Sequence, residues 1–361
     1  MNVLVAMSGG VDSSVAAALL TDRGHDVTGV HLKLADVPLD RQRPGQGCCT
    51  LDDAQDARRV AQLLDIPFYV WDLREPFRRS VQGDFSAAYA AGRTPNPCIA
   101  CNREVKYAAL LRRARVLGFD ALATGHHVRL STDGCGRYRL LRAADRAKDQ
   151  TYVLYVATQQ QLAHSLFPTG ELTKPQVRQE AERRGLRVAS KRDSYDLCFV
   201  PSGDTAAYLA ERLPSAPGPV VDLDGTVLGE HGGVWRYTVG QRRGLALGTH
   251  LRRYVVHIDA ARNTLVVGPR ESLASRWADL GQVNWVPGVP PVGPVRAQIR
   301  AHAPSVPATL VRTGHGWRVE FAAPLEAVAE GQACVLYRPD DHECLGGGAV
   351  VAADRAAAGV G

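Results

Sequence analysis

The chain has 361 residues, enough for two or three domains, and its 45% hydrophobic content is ordinary for a globular protein in water. No run of about eighteen apolar residues and no basic, apolar leader occurs, so the sequence predicts neither a membrane span nor a secretory signal, and the cytoplasm is the expected compartment. A net charge of +6 permits a polyanionic partner without demanding one, and eight cysteines are too sparse for a secreted disulfide scaffold.

Val3-Leu4-Val5 reads as a strand and Ser13 to Leu20 as a helix. Between and across them runs Ala6-Met7-Ser8-Gly9-Gly10-Val11-Asp12-Ser13-Ser14. Strand, glycine turn and helix place backbone N–H groups and a helix N-terminus around a phosphate. Gly9 and Gly10 allow close approach of the backbone, and Ser8, Ser13 and Ser14 add hydroxyls. Asp12 is a candidate to hold a metal ion on the phosphates. The stretch is neither Gly-x4-Gly-Lys-Ser/Thr nor Gly-x-Gly-x-x-Gly, and it contains no lysine to reach terminal phosphates.

His25 to Leu34 predicts a second strand, Asp36 to Cys49 a polar loop, Asp52 to Asp65 a helix, and Phe68 to Trp71 a third strand. That alternation predicts a parallel sheet with helices on both faces and a ligand site at the carboxyl ends of its strands. A helix is expected from Pro76 to Arg93. Then Thr94-Pro95-Asn96-Pro97-Cys98-Ile99-Ala100-Cys101-Asn102 follows, whose two prolines oppose a regular helix or central strand. Asn102 to Gly118 returns to helix, Asp120 to His127 to a strand with a polar end, and Tyr138 to Arg142 to a hairpin arm. Lys148-Asp149-Gln150 opens a helical region reaching Leu186, and Asp193 to Phe199 closes the helical part.

Beyond Gly203, after a helix over Thr205 to Leu213, the chain becomes short β-patterned runs between Gly and Pro. Examples are Val220 to Asp222, Tyr254 to Ile258, Thr264 to Val267, Arg296 to Arg300 and Trp317 to Phe321, and such runs predict one or two small antiparallel barrels. The tract Val286 to Pro294 reads as a linker or loop. The expected domains are therefore 1–202, 203–285 and 286–361.

The cysteines carry chemistry through their spacing. Cys98-x-x-Cys101 fits a redox pair, half of a zinc site or part of an iron–sulfur site, and no second pair follows to complete four zinc ligands. Cys48 and Cys49 are adjacent and poorly placed to chelate one ion together. Cys135, Cys334 and Cys344 have no partner pattern and read as inert. Cys198, behind Asp193-Ser194 and beside Phe199, reads either as a thiol displayed on a loop or as a buried structural cysteine. Two loop thiolates can join in a disulfide when sulfur is handed over.

Seven motifs in order carry a resemblance spanning essentially the whole chain: Ser-Gly-Gly-Val-Asp-Ser (8–13), Thr-Pro-Asn-Pro-Cys-x-x-Cys-Asn (94–102), Ala-Thr-Gly-His-His (123–127), Lys-Asp-Gln (148–150), Asp-Ser-x-x-Leu-Cys-Phe (193–199), Gly-Gln-Arg-Arg-Gly-Leu (240–245) and Leu-Gly-Gly-Gly (345–348). The sequence resembles the tRNA-specific 2-thiouridylases, which exchange the C2 oxygen of the wobble uridine for sulfur. The resemblance implies an α/β parallel-sheet, adenine-nucleotide α hydrolase-like (PP-loop) domain, then a central mainly β domain and a C-terminal antiparallel β-barrel. It implies ATP with Mg²⁺ as the activating pair, bound by Ala6, Met7, Ser8, Gly9, Gly10, Val11, Asp12, Ser13, Leu32 and Gly125. Cys101 matches the family's nucleophile and Cys198 its persulfide carrier, with a disulfide between them during turnover. Asn96, Pro97 and Cys98 match the segment touching the target base, and His126, Lys148, Asp149, Gln150, Arg300 and Gln332 match tRNA-contacting positions. The implied partners are tRNA and a persulfide donor, either a cysteine desulfurase or a relay protein, and the implied state is a monomer with no membrane partner.

Two departures stand out. Many family members carry Asp, with an assigned acid–base role, where this chain has Cys98. With Cys98 present, Cys98, Cys101 and Cys198 also form a three-ligand set for a [4Fe–4S] cluster, although we favour two thiol roles and no metal. Arg300-Ala301-His302 stands where an aromatic often follows the arginine. Two rival readings are an ammonia-using ligase with the same loop, which would need an ammonia source, and a non-catalytic RNA-binding protein with a relic loop.

Overall fold

The computed structural model describes residues 1–35, 50–193, 197–200, 203–245, 247, 252–291 and 293–355. The expected loop Asp36 to Cys49, with Cys48 and Cys49, lies outside the described residues, as do Ser194, Tyr195 and Asp196 of the Asp193–Phe199 motif.

Strands β1 (Asn2–Ala6), β2 (Asp26–Lys33), β3 (Phe68–Asp72), β4 (Ala121–Thr124), β5 (Val128–Thr132), β6 (Tyr138–Arg142) and β7 (Ser165–Leu166) lie in the first half of the chain. Five of them form a parallel sheet in the order β3-β2-β1-β4-β7. Val3, Leu4 and Val5 of β1 are wholly buried, because helices cover both faces of the sheet. Leu4 packs on one face with Leu122, Phe77 and Tyr152. Val3 and Val5 pack on the other, with Val15 and Ala17 of the helix Val11–Asp22 and with Val177 of the helix Lys174–Arg183. The connections run outward in opposite directions from β1, so the crevice between the carboxyl ends of β1 and β4 is the topological switch point of the sheet. The glycine loop lies at that point.

The segment with two prolines proves more helical than expected. Asn96 accepts a hydrogen bond from the Cys98 amide and Pro97 takes the first helical position, where its missing N–H costs nothing. A continuous helix runs from 97 to 116, with a wider i→i+5 winding over Cys101–Leu111. The helix over 74–90 has the same winding over Arg78–Gly83.

The central domain contains β8 (Gly218–Val221), β9 (Val227–His231), β10 (Tyr254–Asp259) and β11 (Thr264–Gly268), in the order β10-β11-β8-β9. Within this mainly β domain β11 and β8 run parallel, while β10 with β11 and β8 with β9 pair antiparallel. The C-terminal strands β12 (Ala274–Trp285), β13 (Pro294–Gln298), β14 (Val306–Thr313), β15 (Gly316–Glu326), β16 (Ala333–Tyr337) and β17 (Glu343–Ala353) form the antiparallel circuit β12-β15-β14-β13-β16-β17. Pairing of β12 with β17 closes it into a six-stranded barrel.

Two features differ from the boundaries drawn on sequence. β12, ending at Trp285, belongs to the barrel and not to the central domain, so the tract Val286 to Pro294 joins two barrel strands. Proline and glycine punctuate a hairpin connection as readily as a linker, which is why composition misplaced the boundary. The hairpin β5–β6 also extends the barrel sheet: Leu141 and Leu140 of β6 pair with Glu343 and Cys344 at the start of β17. The pairing therefore joins the N-terminal domain to the barrel by backbone hydrogen bonds.

Candidate active site

The loop between β1 and the first helix is shaped by close backbone packing. Gly9 has φ +76°, and a Cβ there would overlap the Asp53 backbone carbonyl. Gly125, one residue past β4, lies against the other side, where a Cβ would stand 2.5 Å from the Ser13 amide nitrogen. Ser13 Oγ accepts from the Ser8 amide at 3.1 Å, and Ser14 Oγ donates to the Gly10 carbonyl at 2.9 Å. These hydroxyls hold the loop's own shape. Ala6 ends β1, and the Met7, Val11 and Leu32 side chains are buried.

The cations missing from the loop sequence arrive from far along the chain. Lys174 Nζ contacts both Asp12 carboxylate oxygens at 2.8 Å and Asp193 Oδ1 at 2.9 Å. Lys191 Nζ donates to the Gly9 carbonyl at 2.9 Å, to Asp53 at 2.8 Å and to Asp56 at 2.7 Å. His127 Nε2 lies 3.1 Å from Asp12 Oδ1. Burial works against the Asp12 carboxylate, but the His127 hydrogen bond and the Lys174 charge outweigh it and keep its pKa below the usual carboxylate value. Burial likewise opposes ionised Asp193, yet hydrogen bonds from Lys148 and Lys174 bring its pKa down to about 2. Arg178 adds a further bond to Asp193 at 2.8 Å. Sequence reasoning missed Lys174, Lys191, Arg178, Asp53 and Asp56, since nothing local marks their destination. His127 stands in the Ala-Thr-Gly-His-His motif, beside His126.

That neighbour, His126, is buried, with Nδ1 2.6 Å from Thr124 Oγ1 and Nε2 3.0 Å from Lys106 Nζ. Burial first, then the Lys106 charge, push its pKa well down, so the ring is neutral and accepts from the Lys106 ammonium. Gln150 accepts from the His127 amide at 2.8 Å. Asp149 is tied to Arg142 at 2.9 Å, to Thr151 at 2.5 Å and to the Ala143 amide at 2.9 Å. Of the Lys-Asp-Gln motif, Lys148 reaches the Asp12–Lys174–Asp193 cluster through Asp193.

The cysteine segment lies where all three domains meet. The Thr94 amide donates to the Glu330 carbonyl of the barrel domain at 2.8 Å, and Thr94 Oγ1 lies 3.4 Å from Thr238 Oγ1 of the central domain. Cys98 is exposed; Cys101 and Cys198 are half-buried against one hydrophobic cluster that includes Phe77, Phe85 and Phe199. Among the described residues, no three His, Cys, Asp or Glu side chains converge as a metal-binding group, the set Cys98, Cys101 and Cys198 included. Cys334 and Cys344 are buried in the barrel region, and burial pushes each thiol up to about 12, in keeping with an inert role. Arg300 donates to the Ala327 carbonyl at 2.9 Å, and Gln332 sits in the turn before β16, its carbonyl accepting from Val350.

Fold and site together define a nucleotide-loop domain with a cysteine segment, followed by two β modules. Three family models match in that order: a tRNA methyl transferase HUP domain over 1–202, a tRNA methyl transferase PRC-barrel domain over 206–269, and an aminomethyltransferase β-barrel domain over 277–350. The chain is 54% identical to a protein of Salinispora tropica named tRNA-specific 2-thiouridylase MnmA, over 94% of this chain and 95% of that one. Proteins of the same name from Acidothermus cellulolyticus (50% identical; 99% and 100% covered) and Mycolicibacterium smegmatis (53% identical; 94% and 96% covered) are similarly close. The chain belongs to the tRNA-specific 2-thiouridylase family. Among the described residues, no helix is long and apolar enough to cross a membrane.

Proposed function

We propose that this chain is an ATP-dependent tRNA-uridine 2-sulfurtransferase, working as a cytoplasmic monomer. It adenylates the C2 oxygen of the wobble uridine and replaces that oxygen with sulfur carried as a persulfide on Cys198. The products are 2-thiouridine, AMP and pyrophosphate. One observation carries the reading: a nucleotide loop and the half-buried Cys101 and Cys198 share one domain, and Thr94 pins the cysteine segment to both β modules.

Backbone N–H groups of residues 9–13 and the helix N-terminus favour the ATP phosphates. Mg²⁺ needs only one or two protein carboxylates beside phosphate oxygens, and Asp12, with 30% of its side chain exposed, fits that need. When bound, the ion neutralises phosphate charge. The target uridine must leave its stack, and a single-stranded anticodon makes that affordable. Its C2 oxygen attacks the α-phosphorus as the bond to pyrophosphate breaks. The terminal persulfide sulfur then attacks C2, and AMP departs with the oxygen. Cys101 thiolate attacks the Cys198 sulfur, the electron pair stays on the thiouridine sulfur, and a Cys101–Cys198 disulfide remains. External thiol reduces it, and a cysteine desulfurase or relay protein reloads Cys198.

Asn96, Pro97 and Cys98 would border the base. Lys148, Arg300 and Gln332 would face tRNA, while His126, Asp149 and Gln150 would act by positioning their neighbours. The test is the mass spectrum of tRNA nucleosides after incubation with ATP, Mg²⁺ and a persulfide donor. Formation of 2-thiouridine by the wild type and none by Asp12→Ala is the expected result. Absence of 2-thiouridine with the wild type, or of AMP release, would reject the reading.

A further inference from the structure

Lys174 holds a position that the sequence of steps above does not use. It opens the helix Lys174–Arg183, whose start is fixed by Pro175 and by the Thr173–Gln176 capping box. Its side chain is 10% exposed, and its single ammonium meets three carboxylate oxygens, two on Asp12 and one on Asp193. An ammonium has three N–H donors, so these oxygens occupy all of them.

The two carboxylates belong to different halves of the chemistry. Asp12 stands in the first turn of the helix behind the phosphate loop. Asp193 leads into the segment that carries Cys198, and it is also held by Lys148 and Arg178, each at 2.8 Å. A phosphate oxygen arriving beside Asp12 competes with the carboxylates for the Lys174 donors, all three of which are engaged. A Lys174 donor given to a phosphate would leave Asp193 with Lys148 and Arg178 alone.

We propose that Lys174 is a positioning residue that links occupancy of the ATP loop to the segment bearing Cys198, through its shared hold on Asp12 and Asp193. The inference rests on the ATP-loop reading given above. Adenylation and sulfur delivery are then coupled through one cation, so that loading the nucleotide alters the surroundings of the sulfur carrier before tRNA reacts.

The test uses the reduced, full-length protein without tRNA. Iodoacetamide alkylation of the Cys198 peptide is followed by mass spectrometry, with and without a non-hydrolysable ATP analogue and Mg²⁺, while equilibrium dialysis records nucleotide binding. In the wild type the analogue raises the Cys198 alkylation rate about five-fold, the scale of an ordinary coupling energy. At analogue concentrations that dialysis shows to saturate each protein, Lys174→Met and Asp193→Asn lose the response, and Lys174→Arg retains it. If Lys174→Met fails to fold, as read by circular dichroism, Asp193→Asn carries the test. A full response in Lys174→Met or Asp193→Asn, or no response in a wild type that binds the analogue, overturns the proposal. A wild type that binds no nucleotide rejects the ATP-loop reading and the coupling together, and dialysis identifies that case separately.

Discussion

Gly125 and Ser13 approach so closely that a Cβ on the glycine would lie 2.5 Å from the serine amide nitrogen and 2.6 Å from the Asp12 carbonyl carbon. The contact is backbone against backbone, so no side chain can yield. It sets the distance between the end of β4 and the helix that forms the floor of the nucleotide loop.

Gly125→Ala should therefore push β4 and the helix Val11–Asp22 apart. Overpacking of this kind costs about 1–3 kcal/mol, and the loop geometry should suffer with it. We expect a lowered Tm and an ATP–pyrophosphate exchange KM raised by roughly ten-fold, the equivalent of 1.4 kcal/mol. A variant with wild-type exchange kinetics would show that the spacing is not needed for ATP.

Asp193 gives a pH prediction. Its folded pKa of about 2 lies below its ordinary value of 3.8. A depressed carboxylate stabilises the fold in full above about pH 5 and loses that contribution as pH falls through 3.8 toward 2. For a partly screened side chain the amount is about 1–2 kcal/mol. The Tm difference between wild type and Asp193→Asn should be largest at neutral pH and shrink across that acid window. A constant difference from pH 7 to pH 2 would contradict the linkage.

Arg355 is buried, with its guanidinium donating to the Val256 carbonyl at 3.0 Å and to Glu330 at 2.7 Å. The Glu330 backbone carbonyl in turn receives the Thr94 amide. Glu330→Ala leaves the arginine charge buried without its carboxylate, which costs about 3 kcal/mol. The loss should also slow 2-thiouridine formation, because Thr94 roots the segment of Cys98 and Cys101. Thermal melts and nucleoside mass spectra check the two effects; a large Tm loss with unchanged turnover at low temperature would separate stability from positioning.

The thiols divide by step. Cys198→Ser and Cys101→Ser should still adenylate tRNA, measured by pyrophosphate release, yet form no 2-thiouridine. Cys98→Ser should keep substantial activity in iron-free protein, since Cys98 is exposed and stands outside the Cys101–Cys198 exchange. Near-stoichiometric iron in anaerobically purified protein, with activity that tracks it and is lost in Cys98→Ser, would replace the two-thiol scheme by a cluster.

What could be read from the sequence followed contact range. The strand, glycine turn and helix over residues 2–22 are local, and periodicity placed them well. So did the rhythm of β2, the helix Leu51–Leu63 and β3. Lys174 and Asp12 are 162 positions apart, and Lys191 and Gly9 are 182 apart. No local pattern encodes such a meeting, so a loop that contains no lysine is nonetheless served by two. The same reason hid the membership of β12 and β6 in the barrel sheet: alternation identifies a strand, while its partner is decided by chain elsewhere. His126 and His127 show the limit at single-residue scale, since adjacent residues point to different surroundings, and only one of them meets Asp12.

The pairing of β6 with β17 has a consequence for how the chain is made. Arg139 and Glu343, which also form an ion pair across this junction, are 204 positions apart. At synthesis rates of about 5–20 residues per second, the β5–β6 hairpin waits roughly 10–40 s on the ribosome before the strand that completes it exists. During that interval its edge presents open N–H and C=O groups to any other nascent chain. Arg137 and Arg139, set in and just after the hairpin turn, would place positive charge along that waiting edge, where like charges keep two unfinished copies apart.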